Sequence, residues 1–333
     1  MNPRKKMPNI KKISPIRILK DWTLPVAMTM GTLIYLLFAN IDAFDPIAQQ
    51  AGPFFDKILP LFMFFILFVT FCKVNFHKMR AVRWHLWAGV VQVLLIGVVM
   101  AVILGYQLQG STLVFMEAIL VCVVAPCAAA APVVTQKLGG SLEQMTTYTF
   151  MSNFLTVLFI PICFPLIEKG ESMGFWEAFL QIFYGVTLVL VVPMLLAYVV
   201  KHFFKPLHRR IVSVKDLSYY LWAISLVIVT GTTVKNICQA DTSVLFLVGT
   251  ALTTLVICLG QYALGRQIGR RFDHTNEAGQ ALGQKNTAFA IWIAYTYLHP
   301  LSSVGPGCYI LWQNTVNSIE IYQRKKEGKL LKS

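Results

Sequence analysis

The chain has 333 residues, of which 56% are hydrophobic and 13% charged, and its mean hydropathy is +0.62. This composition excludes a soluble domain and is typical of a polytopic membrane protein. The formal net charge of +14 raises the alternative of a nucleic-acid-binding protein, but the distribution of the charges argues against it.

Ten apolar segments are long enough to cross a bilayer, for which about 20 residues are needed. In chain order they cover residues 22–39, 54–71, 84–106, 111–136, 142–167, 175–200, 217–234, 243–264, 278–298 and 304–322. We therefore predict an all-α polytopic membrane protein with ten transmembrane helices, surrounded by a lipid bilayer.

The basic residues lie almost entirely in alternate loops. Of the 29 Lys and Arg residues, 25 fall in the two termini and in the loops that follow even-numbered spans. The opposite loops carry acidic residues such as Asp42, Glu168 and Asp241. Because positive residues concentrate on the cytoplasmic side, both termini are predicted to be cytoplasmic, in a multi-pass protein of the cell (inner) membrane. We expect no nucleic-acid partner, and the sequence predicts no particular oligomer.

The fourth and ninth spans are interrupted near their middles. The fourth carries Pro126 and Pro132 around an alanine-rich stretch, and the ninth carries Gly279 and Gly283. Each is the fourth span of its half of the chain. Broken helices at matching positions of two halves are typical of the substrate site of a secondary transporter.

Few charged side chains are predicted inside the membrane, and the clearest are Glu117 and Lys285. A lysine at the bilayer centre costs on the order of 2.5–3.5 kcal/mol on insertion scales, so Lys285 is predicted to face a cavity or a partner. Glu117 lies about two turns from the outer end of its span, since an α-helix has 3.6 residues per turn. Two alternatives are open for it, a functional role and a structural one in which it snorkels or supports a helix contact.

The spans that follow the two broken ones carry polar faces at helical spacing. These residues are Thr146, Thr149 and Asn153 in the fifth span and Gln313, Asn314, Asn317 and Ser318 in the tenth. Gln92 is an isolated amide in the third span. Hydrogen bonding between helices is one interpretation, but the symmetric recurrence after each break favours residues that line a cavity at the break.

Several classes of protein and site are not supported by the residues. The seven cysteines show no CxxC pair or metal-ligand spacing, and no phosphate-binding glycine loop indicates an ATP-driven pump. A nucleophile with its base, an HExxH motif and a channel filter motif are also missing from the sequence. We therefore predict neither an enzyme nor a channel, and expect no metal site and no cofactor.

The ten spans, the two broken helices and the run Gly283-Gln284-Lys285-Asn286-Thr287 together resemble the bile acid:sodium symporter family over essentially the whole chain. The resemblance implies two inverted five-helix repeats, residues 1–170 and 171–333, whose fourth and ninth helices unwind and cross. It further implies panel and core domains, interleaved across both repeats, that rock past each other to carry organic anions with sodium. From the polar residues inside the spans and from this resemblance together, we predict that the substrate or ion-binding residues are Gln92, Glu117, Thr149, Asn153, Gln284, Lys285, Asn286 and Thr287.

The chain departs from the family pattern where that pattern supplies sodium ligands. Ala281 stands where the resemblance implies a glutamate, and Lys285 where it implies a glutamine; Ala131 and Pro132 replace a serine and an asparagine, and Met145 replaces a further ligand. Sodium is a hard cation that requires several oxygen ligands. We therefore expect transport that does not use sodium.

Two mechanisms are open for Lys285. Its ammonium group has three donors and can replace the cation permanently, which would give a sodium-independent uniporter or exchanger for organic anions, either bile-acid-like or small carboxylates. Alternatively, since desolvation disfavours a charged amine, Lys285 can release its proton in each cycle and couple transport to protons.

The competing class of protein is a non-transporting membrane sensor, or a degenerate paralogue that has kept the fold. Auxin-efflux-like carriers resemble the chain only in the crossover at Pro126 and Pro132.

Overall fold

A computed structural model describes residues 23–41, 45–74, 79–167, 174–214, 217–239 and 242–330. Within these ranges the chain is helical and contains no strand. The helices are α1 Thr23–Asn40, α2 Asp45–Cys72, α3 Arg83–Gly105, α4 Gly110–Val124, α5 Ala131–Lys137, α6 Leu142–Ile167, α7 Phe175–Leu190, α8 Val192–Phe203, α9 Lys205–Ser213, α10 Leu217–Gln239, α11 Val244–Arg270, α12 Thr275–Gly283, α13 Thr287–Tyr297 and α14 Val304–Leu330, with a 3₁₀ turn at Pro300–Ser303.

Four helical stretches of the described chain have the length and apolar composition needed to cross a membrane. They are α3, α6, the continuous stretch Phe175–Phe203 and α11. Shorter apolar helices accompany them at Val26–Asn40, Ile58–Cys72, Gly110–Val124 and Tyr220–Lys235. The protein is therefore an integral membrane protein, as its composition predicts.

The side chains of α3 differ in exposure between two opposite faces of the helix. Ile96 and Met100 are buried in the main apolar core, whereas Leu94 and Val98 on the opposite face are 61% and 63% exposed. Large apolar residues in such positions are costly in water but favourable against lipid tails. In this part of the helix both faces are thus apolar, one packed in the protein and the other on its surface, as expected for contact with lipid tails.

Several helices are longer than the apolar segments that predicted them. The second begins at Asp45 rather than at residue 54, and the last continues to Leu330 rather than ending at residue 322. At the start of α2, Pro46 occupies the first turn, where the missing N–H of proline has no helical acceptor to lose. Hydropathy alone ends a span where charges begin, whereas a helix can continue outside the apolar layer.

Both predicted breaks are present, although one of the residues assigned to them is not part of a break. The fourth span is interrupted between Val124 and Ala131, and the ninth between Gly283 and Thr287. Pro132 lies in the first turn of α5, where proline is tolerated. The prediction was wrong for Gly279, which lies inside α12. A Cβ there would lie 2.8 Å from Cγ of Arg266, so the glycine allows close packing instead.

The sixth span contains an interruption that its hydropathy did not reveal. The helix changes from α7 to α8 at Val191, and Pro193 lies in the first turn of α8. Because proline has no N–H, it cannot continue the hydrogen-bond ladder of the preceding helix. The interruption lies beside α6, where Met194 contacts Asn153.

Candidate functional site at the helix crossing

The two interrupted segments cross and bond to each other through their backbones. Cys127 and Lys285 pair as a single antiparallel bridge. The N–H of Ala128 donates to the carbonyl of Gln284 at 2.9 Å, and the N–H of Asn286 donates to the carbonyl of Pro126 at 2.8 Å. Buried backbone groups that lose their helical partners must find others, and here each broken helix supplies them to the other.

Lys285 lies at the centre of this crossing and is 1% exposed. Its Nζ donates to the carbonyl oxygens of Val123 at 3.0 Å and Ala125 at 3.2 Å. These carbonyls belong to the end of α4, where no further helical N–H is available and the helix carries partial negative charge. The ammonium group therefore stabilises the C-terminal end of a broken helix.

Gln92 reaches the same two carbonyls from α3. Its Nε2 lies 3.5 Å from the oxygen of Val123 and 3.4 Å from that of Ala125. The hydroxyl of Tyr148 donates to Oε1 of Gln92 at 3.2 Å and fixes the orientation of the amide. The two carbonyls at the end of α4 thus accept from the amine of Lys285 at 3.0–3.2 Å and from the amide of Gln92 at 3.4–3.5 Å.

The helix that follows each break holds the crossing segment in place. In α6, the hydroxyl oxygen of Ser152 accepts from the N–H of Cys127 at 2.9 Å, and the hydroxyl of Thr156 donates to the carbonyl of Val124 at 2.9 Å. In α14, Oε1 of Gln313 accepts from the N–H of Lys285 at 2.8 Å, and its Nε2 donates to the carbonyl of Lys285 at 3.2 Å. In each half of the chain, the helix after the break thus forms side-chain hydrogen bonds with backbone groups of the broken segment.

Ser152 and Thr156 are site residues that the sequence analysis missed. Hydroxyls in membrane helices often bond to the carbonyl four residues earlier in their own helix, so they carry a weak signal. Thr146 and Thr149 do bond in this way, to the carbonyls of Leu142 and Met145. The spacing of Ser152 and Thr156, four residues apart on one face, was the available indication.

Other predicted residues lie at the crossing with more local contacts. Thr149 also approaches the Sγ of Cys127, at 3.7 Å from its hydroxyl oxygen. Oδ1 of Asn286 accepts from the N–H of Phe289 at 3.3 Å, which caps the first turn of α13. Gln284 and Thr287, which flank Lys285 and Asn286 in the sequence, are each 4% exposed. Within the run from residue 284 to 287, Asn286 is thus half-buried and the other three residues are buried.

The four predicted polar residues of α14 do not all lie at the crossing. Asn314 donates to the carbonyl of Ile310 in its own helix, and Ser318 is exposed. Asn317 accepts from the hydroxyl of Tyr262 and from Nε2 of Gln280, both at 2.9 Å. Of the four predicted residues, Gln313 is the one whose described hydrogen bonds reach the crossing.

Asn153 lies on the side of α6 that faces α8. It is fully buried, and its Nδ2 donates to the thioether sulfur of Met194 at 3.4 Å. Its Oδ1 has no hydrogen-bond partner among the described residues. Since thioether sulfur is a weak acceptor, this amide retains unused hydrogen-bonding capacity between two helices.

Glu117 is fully buried but does not contact Lys285 in the described interactions. The hydroxyl of Ser302, in the 3₁₀ turn, donates to Oε2 of Glu117 at 2.5 Å. Lys285 binds α4 at Val123, about 9 Å further along the helix at 1.5 Å per residue. This hydrogen bond connects the 3₁₀ turn between α13 and α14 to the middle of α4.

Replacing Gln313 with leucine is expected to destabilise the protein by about 2–6 kcal/mol. The substitution leaves both the N–H and the carbonyl of Lys285 without their partners, and each buried unsatisfied group costs about 1–3 kcal/mol. Thermal unfolding of the purified protein in detergent tests this. Thr315→Val in the same helix is the control, because the exposed Thr315 bonds only to its own turn in the described contacts. Equal stability of the two variants would contradict the role of Gln313.

A model of the Sodium Bile acid symporter family matches residues 60–240. The match covers more than half of the chain, including the first broken helix and the helix that holds it. A search of curated proteins found no match. Members of the matched family are membrane transporters rather than enzymes, which implies a small-molecule substrate. With the family resemblance of the sequence thus confirmed, the chain belongs to the Sodium Bile acid symporter family.

Proposed function

We propose that the protein is a secondary transporter of organic anions that works by alternating access without sodium, with Lys285 in the place of the coupling cation. The observation that carries this proposal is the position of Nζ, 3.0 Å and 3.2 Å from two carbonyl oxygens at the end of a broken helix. Such carbonyls are the kind of ligand that a hard cation uses. Here an ammonium group is their donor.

The charge of the site supports the replacement. As the family resemblance implies, a loaded site holds one carboxylate and two sodium ions, with a net charge of plus one. A protonated Lys285 beside Ala281 has the same net charge. Ala281 is fully buried and has no side-chain oxygen with which to bind sodium. The donor set therefore fits an ammonium group better than a sodium ion.

The preference for an anion follows from the helix ends at the crossing. Both α5 and α13 begin there with partial positive charge, whereas α4 and α12 end there with partial negative charge, and Lys285 compensates the end of α4. The two N-termini and the ammonium group of Lys285 are the groups that would attract a carboxylate or sulfonate. An organic anion of the bile-acid type, or a smaller carboxylate, is the substrate class that this arrangement favours.

The matched bonding of the two crossing segments supports two inverted repeats, residues 1–170 and 171–333. Ser152 holds the first segment from α6, and Gln313 holds the second from α14. In this arrangement α6 and α14 belong to a core domain, while α8 belongs to a panel domain that moves relative to it. The buried amide of Asn153, facing α8, lies where substrate would pass between the two domains.

Uptake of labelled taurocholate and of small carboxylates into proteoliposomes tests the proposal. Uptake is expected to be unchanged when external sodium is replaced by choline, because the carbonyls that would bind sodium already accept from Lys285. The control for leak is the same preparation with Lys285→Ala. Uptake driven by a sodium gradient would overturn the sodium-independent mechanism and show that a sodium site exists elsewhere.

An imposed pH gradient separates the two mechanisms for Lys285. A permanently charged lysine predicts uptake that is indifferent to the gradient, whereas a lysine that exchanges its proton predicts uptake driven by it. No uptake of any anion under any gradient would overturn the transport proposal and favour a sensor of the same fold.

A further inference from the structure

A short basic helix joins α8 to α10 on the face of the protein that carries the basic loops. It is α9, and no residue in it is buried. The segment from residue 201 to 215 contains five Lys or Arg residues and no acidic residue. Asp216 follows directly, so five positive charges and one negative charge leave residues 201 to 216 with a net charge of +4.

One edge of α9 is fixed against the protein. His208, Ile211 and Val212 are half-buried, and the last two pack against the main apolar core. At 100° per residue these three positions lie on one side of the helix. The opposite side of α9 is consequently held outward.

The outward side of α9 is divided into a basic edge and an apolar edge. Lys205 and Arg209, four residues apart, share one edge, and Arg210 lies between the edges; all three are exposed. Leu207 lies near the other edge and is 47% exposed, and Val214, directly after the helix, is exposed to the same extent. A helix whose exposed surface is half cationic and half apolar is typical of one that lies in a membrane interface.

Contacts with the end of α2 fix α9 in this position. Nε2 of His208 donates to the carbonyl of Cys72 at 2.8 Å, and Nζ of Lys73 donates to the carbonyl of Val214 at 3.4 Å. Lys201 donates to the carbonyl of Val74. The contacts bring a further cation, Lys73, to the same surface. We name the group formed by Lys73, Lys205, Arg209 and Arg210 the basic platform.

Two aromatic residues extend the apolar edge where α8 ends. Phe203 is 75% exposed and Phe204 is 56% exposed, directly before the first residue of α9. Large side chains in such positions bury apolar area when the surface contacts the boundary between headgroups and acyl chains. The basic platform is thus bordered by an apolar surface on a rigid support.

We propose that the basic platform binds the headgroups of anionic phospholipids. The cations supply electrostatic attraction to phosphate, while Leu207, Val214 and the two phenylalanines enter the acyl boundary beside it. A soluble anion would use the charges but gain nothing from the apolar edge, so the combination favours a lipid. The preference of basic residues for one side of the membrane accounts for their location, but not for a fixed helix with this division.

The test measures which lipid the purified full-length protein retains. The protein is extracted into detergent and given an equal mixture of phosphatidylglycerol and phosphatidylcholine, and bound lipids are counted by native mass spectrometry. The wild-type protein is expected to retain phosphatidylglycerol preferentially. In R209Q/R210Q, affinity for phosphatidylglycerol is expected to fall by about fivefold for each lost charge, the factor that ~1 kcal/mol represents at room temperature.

The matched control is R270Q/R271Q, another exposed pair of adjacent arginines at the end of α11, which should keep the preference. A second variant, L207Q/V214Q, keeps every charge and is expected to weaken retention by removing the apolar edge. Because all these side chains are exposed, the variants should fold, which size-exclusion chromatography verifies.

Three results would overturn the proposal. In the first, R209Q/R210Q keeps the wild-type preference; in the second, R270Q/R271Q loses as much, so that the preference depends only on total charge. In the third, L207Q/V214Q binds normally while inorganic phosphate displaces the lipid, which would identify a site for soluble anions instead.

Discussion

Replacing Lys285 with alanine is expected to abolish uptake, with a loss of about a hundredfold or more. The substitution removes the charge at the crossing and the ammonium donor that lies 3.0 Å and 3.2 Å from the carbonyl oxygens of Val123 and Ala125. A buried carbonyl left without its donor costs about 1–3 kcal/mol, and two are affected here. Gln92 remains near both oxygens, but a neutral amide at 3.4–3.5 Å is a weaker donor than an ammonium group. Initial rates of anion uptake into proteoliposomes provide the measurement.

Two further variants separate the charge of Lys285 from its packing. Lys285→Met keeps most of the aliphatic stem and is expected to fail like Lys285→Ala, because the missing ammonium group is the cause. Lys326→Ala removes an exposed lysine near the end of α14 and should leave uptake unchanged. Wild-type rates in the methionine variant would show that Lys285 acts only by filling space.

Substituting Gly283 with alanine is expected to destabilise the protein by about 1–3 kcal/mol, the usual cost of an added methyl group in a packed core. The new Cβ would overlap the ring of Tyr262, which is 1% exposed and bonded to Asn317. The backbone has little freedom to move away, since the carbonyl of Gly283 accepts from the hydroxyl of Tyr309 at 2.9 Å. Thermal unfolding in detergent, followed by uptake at permissive temperature, measures both effects.

Gly97→Ala is the matched control for this substitution. Gly97 also lies in a membrane helix, but a Cβ there would meet no atom within 4 Å. Alanine costs less than glycine in a helix, so stability should be equal or slightly higher. Shortening the obstructing ring in G283A/Y262L is expected to restore part of the stability lost in Gly283→Ala. Additive losses in the double variant would place the damage elsewhere than at Tyr262.

Membrane helices and their breaks were predictable because their signals are local. Apolar runs predicted the integral membrane protein, and the residues around Pro126 and Gly283 predicted where the fourth and ninth spans are interrupted. Gly279 was assigned wrongly because a glycine that breaks a helix and one that permits close packing are identical in sequence. The interruption at Val191 was missed because hydropathy is uniform around it, although Pro193 is a local signal for a break.

The candidate site was predictable in its residue types but not in its contacts. Lys285 stood out from the cost of its charge, and its three donors suggested that the ammonium group can replace a cation. The identity of its partners was not, since Val123 and Ala125 are apolar residues that contribute only backbone oxygens. Ser152 was overlooked for the related reason that it binds a backbone N–H.

The sequence by itself determined that this is a helical membrane protein with two interrupted spans and a lysine inside the second of them. These features follow from transfer free energies and backbone chemistry, which depend on the residues and their near neighbours. Only the tertiary structure decided that the two breaks bond to each other, that Gln92 and Lys285 share one pair of carbonyls, and that α9 is fixed beside α2. Contacts between residues far apart in the chain depend on how helices pack, and that packing is a property of the whole molecule.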